Sequence, residues 1–166
     1  MNEGKQFEHD FRNSVPDDVY SLRLIDPAIG FDVESSTQRF APKNPYDLIL
    51  YKEPWMYCLE LKSTKESRIS FRGSSSMIRE HQIRKLTEAW EKGCRAGFVL
   101  NFRSSQNTCY LPIEVFHRLT RATERQSLRE DEILEAGTRL PVRRLRIHNR
   151  YDLNVLFGLE QIVLTL

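Results

Sequence analysis

The sequence predicts an α/β domain with a central mixed β-sheet flanked by helices. Three observations carry that expectation. Apolar residues recur at a helical period in some segments and alternate strictly in others. The two patterns follow one another in the order helix, strands, helix, strand, strand, helix. A chain of 166 residues with 40% hydrophobic content suits one core, so a single domain is expected over 1–166.

Residues 4–13 read as a short helix, with Phe7 and Phe11 four apart and Glu8 one position round from Phe7. The turn Pro16-Asp17-Asp18 ends it, and 19–25 alternates as a strand before a polar loop to Asn44. Two runs, 46–51 and 57–62, form a hairpin through Lys52-Glu53-Pro54-Trp55. Residues 68–71 make a short pairing segment. Gly73 and Ser74-Ser75-Ser76 break the chain and offer N-cap hydroxyls to a helix running to Lys92. Ile83, Leu86 and Trp90 form its core stripe, and Gly93 suits its stop. A strand at 96–102, a turn at 104–107 and a strand at 108–111 follow, and Pro112 precedes a helix over 113–123. The end reads as a short helix at 128–135, a helix at 152–158 and an apolar segment 161–166, expected as a buried strand, with a subunit contact as the alternative.

Composition narrows the classes. No stretch approaches the length of a membrane span, and the first residues lack the basic-then-apolar pattern of a signal peptide. Cys58, Cys94 and Cys109 form no Cys-X-X-Cys pair, which argues against structural zinc or a disulfide framework and for reduced thiols in a cytoplasmic setting. The net charge of +2 is unevenly spread: residues 1–60 hold 6 Lys/Arg against 11 Asp/Glu, and the remainder is basic. Basic side chains of the second segment can offset phosphate repulsion near acidic groups. The densest cluster is Arg139, Arg143, Arg144, Arg146 and Arg150, with His148 among them. Arg118, Arg121, Arg125 and Arg129 recur at helical spacing as one stripe. The plainer alternative for each is a solvated face, with ion pairs to Glu124, Asp131 and Glu135 for the stripe.

The chemistry concentrates on Asp47, Glu60 and Lys62. Strand alternation puts Cys58, Glu60 and Lys62 on one face and Tyr57, Leu59 and Leu61 on the other. A Glu-X-Lys on a strand is often just a solvated polar face. Here it interrupts an apolar strand, which is costly unless the groups are used. The thirteen-residue step from Asp47 to Glu60 lets a hairpin bring the two acids together. Carboxylate oxygens suit a hard cation such as Mg²⁺, which activates a water and stabilises charge on a scissile phosphate. Lys62 beside them positions or deprotonates that water, or neutralises the phosphate. Cys58 and the tyrosines Tyr46 and Tyr51 are expected to be packing residues.

Pro45-X-Asp47, followed on the next strand by Glu60-X-Lys62, resembles the PD-(D/E)XK nuclease signature. Gly4-X-X-Phe7-Glu8 resembles the opening helix of cellular Holliday junction resolvases, and Glu80-His81-Gln82 the His-Gln step of RecU-type resolvases. The strands 97–102 and 110–112 extend the resemblance, which spans roughly 4–116. It implies a restriction-endonuclease-like core of four or five strands and a metal-dependent endonuclease of phage or mobile-element type acting in DNA recombination and repair. The implied ion is Mg²⁺, with Mn²⁺ as a substitute, held by Asp47, Glu60 and Glu8. Lys62 acts on the water and phosphate, and Gln82 orients that geometry. The implied substrate is a four-way junction, cut by a twofold homodimer to 5′-phosphate and 3′-hydroxyl ends in the cytoplasm of a bacterial or phage-infected cell. Lys65 and His81 are either phosphate contacts or solvated side chains, and Arg143, Arg144 and Arg146 are the candidate DNA contacts of the basic cluster. Two departures stand out. The polar stretch 27–44 is short for the protruding stalk of RecU-type proteins, and the last fifty residues match nothing in the family. Alternatives are a related nuclease acting on flaps, nicked or specific duplex, and a catalytically silent DNA-binding factor.

Overall fold

The computed structural model describes residues 2–24, 44–121 and 124–158. Helix α1 (Glu3–Arg12) is capped by Asn2, whose side chain accepts from the Gly4 N–H at 3.0 Å, and it buries Phe7 and Phe11. Strand β1 (Tyr20–Arg23) leads to the hairpin β2 (Leu48–Lys52) and β3 (Trp55–Thr64), turning at Glu53-Pro54. Short β4 (Arg68–Ser70) precedes α2 (Glu80–Glu91), which ends at Gly93, where φ is +93° and glycine relieves the strain. Then come β5 (Arg95–Phe102), β6 (Asn107–Pro112) and α3 (Ile113–Arg121). The C-terminal third holds β7 (Ser127–Arg129), α4 (Glu130–Ala136), β8 (Thr138–Arg139), β9 (Val142–Arg144), β10 (Asn149–Tyr151) and α5 (Asn154–Gly158).

The main sheet has the order β1-β2-β3-β5-β6-β8. It is mixed, as expected: β3 and β5 are parallel, joined across α2, and the other pairs are antiparallel. Among the described residues it has six strands rather than four or five, because β1 and β8 extend its two edges. One face packs Phe98, Leu100 and Cys58 against Leu86 of α2, Phe116 of α3 and Ile133 of α4. The other packs Leu48, Leu59 and Leu61 against Phe7 and Phe11 of α1, Tyr151 of β10 and Leu156 of α5. At Gly97 of β5 the backbone of β6 is so close that a Cβ would lie 2.8 Å from the Tyr110 ring and 3.0 Å from Pro112 Cα.

Several expectations are corrected. The serines of 74–76 do not cap α2: Ser76 Oγ donates to the Ile78 carbonyl at 2.8 Å, and Gln82 caps instead, accepting from the Arg79 N–H at 2.9 Å. Trp90 is 40% exposed, because the inward stripe of α2 steps by three from Leu86 to Ala89 rather than by four. Tyr51 is also exposed, lying across from Met56 on an open stretch of sheet. Leu128 belongs to a strand, paired with Ile69 of β4, and the helix starts only at Glu130. The arginine stripe is therefore broken: Arg118 and Arg121 share α3, Arg125 lies between elements, and Arg129 closes β7. Strands β8 to β10, two or three residues each, carry no periodic signal in the sequence. Residues 27–43 of the stalk candidate and the apolar segment 161–166 lie outside the described residues.

Candidate active site

The hairpin brings Asp47 to Glu60. Asp47 sits just before β2 and continues its ladder, with its N–H donating to the Leu59 carbonyl at 3.1 Å and its carbonyl accepting from the Leu24 N–H at 2.9 Å. Its carboxylate turns onto β3, where Oδ2 accepts from the Leu61 N–H at 2.8 Å. Glu60 is only 3% exposed, on the α2 side of the sheet. Its Oε1 lies 2.7 Å from Lys62 Nζ and also accepts from Gln82 Nε2. Gln82 is thereby fixed at both ends of its amide, one capping α2 and the other holding Glu60.

Glu8 joins electrostatically from α1. Burial pushes the Glu60 carboxyl up to about 7, and repulsion from Asp47 and Glu8 adds to this against the attraction of Lys62. Burial, then repulsion from Asp47, also raises Glu8, against the pull of Arg23 at 3.4 Å and of Lys62. Three acids that repel one another beside a single ammonium concentrate hard oxygen ligands where positive charge is short, although among the described residues only the ligand atoms of His9, Asp10 and His148 already lie within 4.8 Å of one another. That chemistry fits a divalent cation such as Mg²⁺ or Mn²⁺.

The other predicted residues fall elsewhere. Lys65 is exposed, 3.7 Å from Glu3, and His81 lies half-buried in the first turn of α2 beside Gln82. Arg143 and Arg144 stand on β9 and Arg146 in the turn that follows, all exposed and distant in sequence from the acids. Cys58 is a packed core thiol, with burial pushing it up to about 11. Sequence reasoning missed Arg23, which shows only as one cation in an alternating strand. It also missed Asp10, which is 2% exposed and accepts from Gln6 Nε2 at 2.7 Å and from the Asn149 N–H at 2.9 Å. His148 Nδ1 lies 3.2 Å from the same carboxylate, and His9, Asp10 and His148 form a cluster. Partners 138 residues apart leave no local signal.

No protein-family model matches the chain. It is 32% identical over 113 residues to the SPbeta prophage-derived uncharacterized protein YotM of Bacillus subtilis (strain 168), covering 66% of this chain and 54% of that protein. The chain thus spans about half the length of that relative. Among solved structures it is similar to Archaeoglobus fulgidus Hjc, a Holliday junction resolvase, at a TM-score of 0.47 and 16% identity over 74% of this chain and 83% of that one. A likeness that loose carries no functional conclusion. No helix among the described residues is long and apolar enough to cross a membrane.

Proposed function

We propose that this chain is a divalent-metal-dependent, structure-specific DNA endonuclease of the Holliday junction resolvase type, with the restriction-endonuclease-like core its motif implies. The convergence of Asp47, Glu60 and Lys62, with Glu60 buried and pushed up to about 7, supports it most. Burying an acid beside other acids costs stability that packing does not return, which is the mark of a group kept for chemistry. Asp47, Glu60 and Glu8 would hold Mg²⁺ or Mn²⁺, and that ion, when bound, supplies an acidified water and charge neutralisation at the phosphate. Lys62, held by Glu60 at 2.7 Å, positions the attacking water or offsets the charge growing on the phosphate. Gln82 keeps Glu60 oriented toward that geometry.

The substrate is a four-way junction, resolved by paired nicks from a twofold homodimer. The prophage derivation named for the relative supports a phage or mobile-element setting in the bacterial cytoplasm. Contacts would fall on backbone phosphates, with Arg143, Arg144 and Arg146 the principal cations and Lys65 and His81 as further contacts. The test is cleavage of a labelled synthetic junction beside matched linear duplex, in Mg²⁺ and in chelator, for wild type and Asp47→Ala. Symmetric nicks in the junction alone, lost in chelator and in the variant, are expected. Equal cutting of linear duplex or of flaps would make it a nuclease of another specificity. Tight binding without cutting would leave a silent DNA-binding factor.

A further inference from the structure

We propose that the β9–β10 hairpin is a DNA wedge, whose Leu145 and Ile147 enter a base step at a branch point while the surrounding arginines hold the flanking phosphates. This rests on the nuclease reading above and adds the device that would select branched DNA.

The hairpin stands apart from the main sheet as a two-stranded ribbon, pairing Val142 with Tyr151, Arg143 with Arg150 and Arg144 with Asn149. A hydrogen bond from the Leu145 N–H to the His148 carbonyl, 2.8 Å, closes its turn. At that tip Leu145 is 48% exposed and Ile147 is 80% exposed. Two aliphatic side chains at the end of a ribbon contribute nothing to the core, and leaving them in water is unfavourable. Arg143, Arg144, Arg146 and Arg150 surround them, all exposed, and none forms an ion pair among the described residues. Arg125 and Arg129, by contrast, are paired with Glu132 and Asp131 at 2.8 and 2.7 Å. Apolar side chains flanked along the hairpin by cations that form no ion pair among the described residues match a duplex, which is apolar between its stacked bases and anionic outside them. Minor-groove proteins use Leu and Ile in this way to open base steps.

The ribbon is also held firmly enough to act as a wedge. Asp10 accepts from the Asn149 N–H at 2.9 Å, and Ser14 Oγ accepts from the Tyr151 N–H at 2.9 Å. The Tyr151 ring packs on Phe7 and Phe11, with centroids 5.6 and 5.8 Å apart. All four anchors lie on or just after α1, which also carries Glu8. One helix therefore ties β10, the strand that follows the hairpin tip, to the candidate metal site, so seating the wedge fixes where the DNA strand meets the acids. An anionic membrane shares the charge preference. Two aliphatic side chains are too few to hold a protein on a bilayer, however, given that a whole myristoyl chain does so only marginally.

The experiment uses the full chain in chelator, so that nothing is cut. A four-way junction carries 2-aminopurine at the branch, and a linear duplex carries it at the centre. Wild type is compared with the double variant Leu145→Ser with Ile147→Ser, whose melting temperature checks folding. Wild type should raise fluorescence at the branch. The variant should lose most of that rise and roughly tenfold in junction affinity, with linear-duplex affinity kept within about twofold. An equal rise in the variant overturns the wedge while leaving the nuclease reading intact if Mg²⁺ restores cutting. Wild type that neither binds nor cuts any DNA overturns both. Binding to phosphatidylserine vesicles, lost in the variant and without a branch signal, overturns the wedge in favour of a membrane contact.

Discussion

Asp10 and Glu60 are two carboxylates of nearly equal burial, 2% and 3% exposed, in opposite surroundings. Asp10 is surrounded by donors: Gln6 and His148 at Oδ1, and the backbone of Asn149 at Oδ2. It works as a brace between α1 and the β9–β10 hairpin. Glu60 receives Lys62 and Gln82 on one oxygen and shares its surroundings with two other acids. Lys62 favours its negative charge, and Asp47 and Glu8 both oppose it. A buried acid filled by donors stabilises a fold, whereas one crowded by acids is held there at a cost and points to a ligand.

Removing each acid in turn separates the two carboxylates most strongly. Glu60→Gln should lower junction cleavage by roughly 10³-fold while leaving the melting temperature unchanged or higher, because the repulsion goes with the charge. Asp10→Ala should do the reverse. It strands the Asn149 N–H and costs about 2 kcal/mol, several degrees in melting temperature. Single-turnover cleavage at saturating protein should fall far less than in Glu60→Gln. Equal effects of the two variants on both readouts would erase the distinction.

Stability against pH sharpens the Glu60 half. Its carboxyl titrates near 7 in the folded chain against 4.5 for an ordinary glutamate. Its proton is thus held more tightly by the native state, so its contribution is fully present below pH 4.5 and lost as pH rises through about 7. The loss amounts to about 3 kcal/mol at most. Denaturation in chelator at pH 5, 6, 7 and 8 should show wild type losing ground to Glu60→Gln over that window. Mg²⁺ should stabilise wild type more at pH 8 than at pH 5, since a cation favours the ionised acids. A difference between the two proteins that stays flat with pH would sink the assignment.

Gln82 gives a smaller effect that touches both properties at once. Gln82→Ala removes the α2 cap and the second partner of Glu60 together. About 1 kcal/mol of stability and roughly 10- to 100-fold in cleavage should go. Full activity in that variant would leave Gln82 a cap and nothing more.

How much of this was legible in the sequence divides along the same line. Alternation alone set Glu60 and Lys62 on one face, and the thirteen-residue step set Asp47 opposite, because hairpin register is local arithmetic. Periodicity set the elements, and their order gave the α/β class with a mixed sheet. What stayed hidden depends on distant partners. Asp10 reads as a helix-surface acid until Asn149, 139 residues on, is folded against it. The three-residue strands β7, β9 and β10 are too short to show a period, so Leu128 read as helical and the arginine spacing as a stripe. Trp90 failed for another reason: from Leu86 the inward face steps by three to Ala89, which leaves Trp90 on the outer side of α2.

The least expected change separates the two kinds of arginine. Arg146, in the hairpin turn, has no acidic partner among the described residues, whereas Arg129 holds Asp131 at 2.7 Å. Arg129 is half-exposed, and its pair contributes little to stability. It does reduce the cation's availability to a phosphate. An unpaired arginine that meets the DNA backbone displaces about one counterion, so Arg146→Ala should reduce the slope of log affinity against log salt by about 1. At low salt that is a loss of only a few-fold, uniform across sequences. Arg129→Ala should leave the slope unchanged. Junction binding titrated from about 50 to 200 mM salt resolves the two. A slope reduced by Arg129→Ala but not by Arg146→Ala would move the DNA from the hairpin to the β4–β7 side, and with it the whole path of the substrate past Glu60.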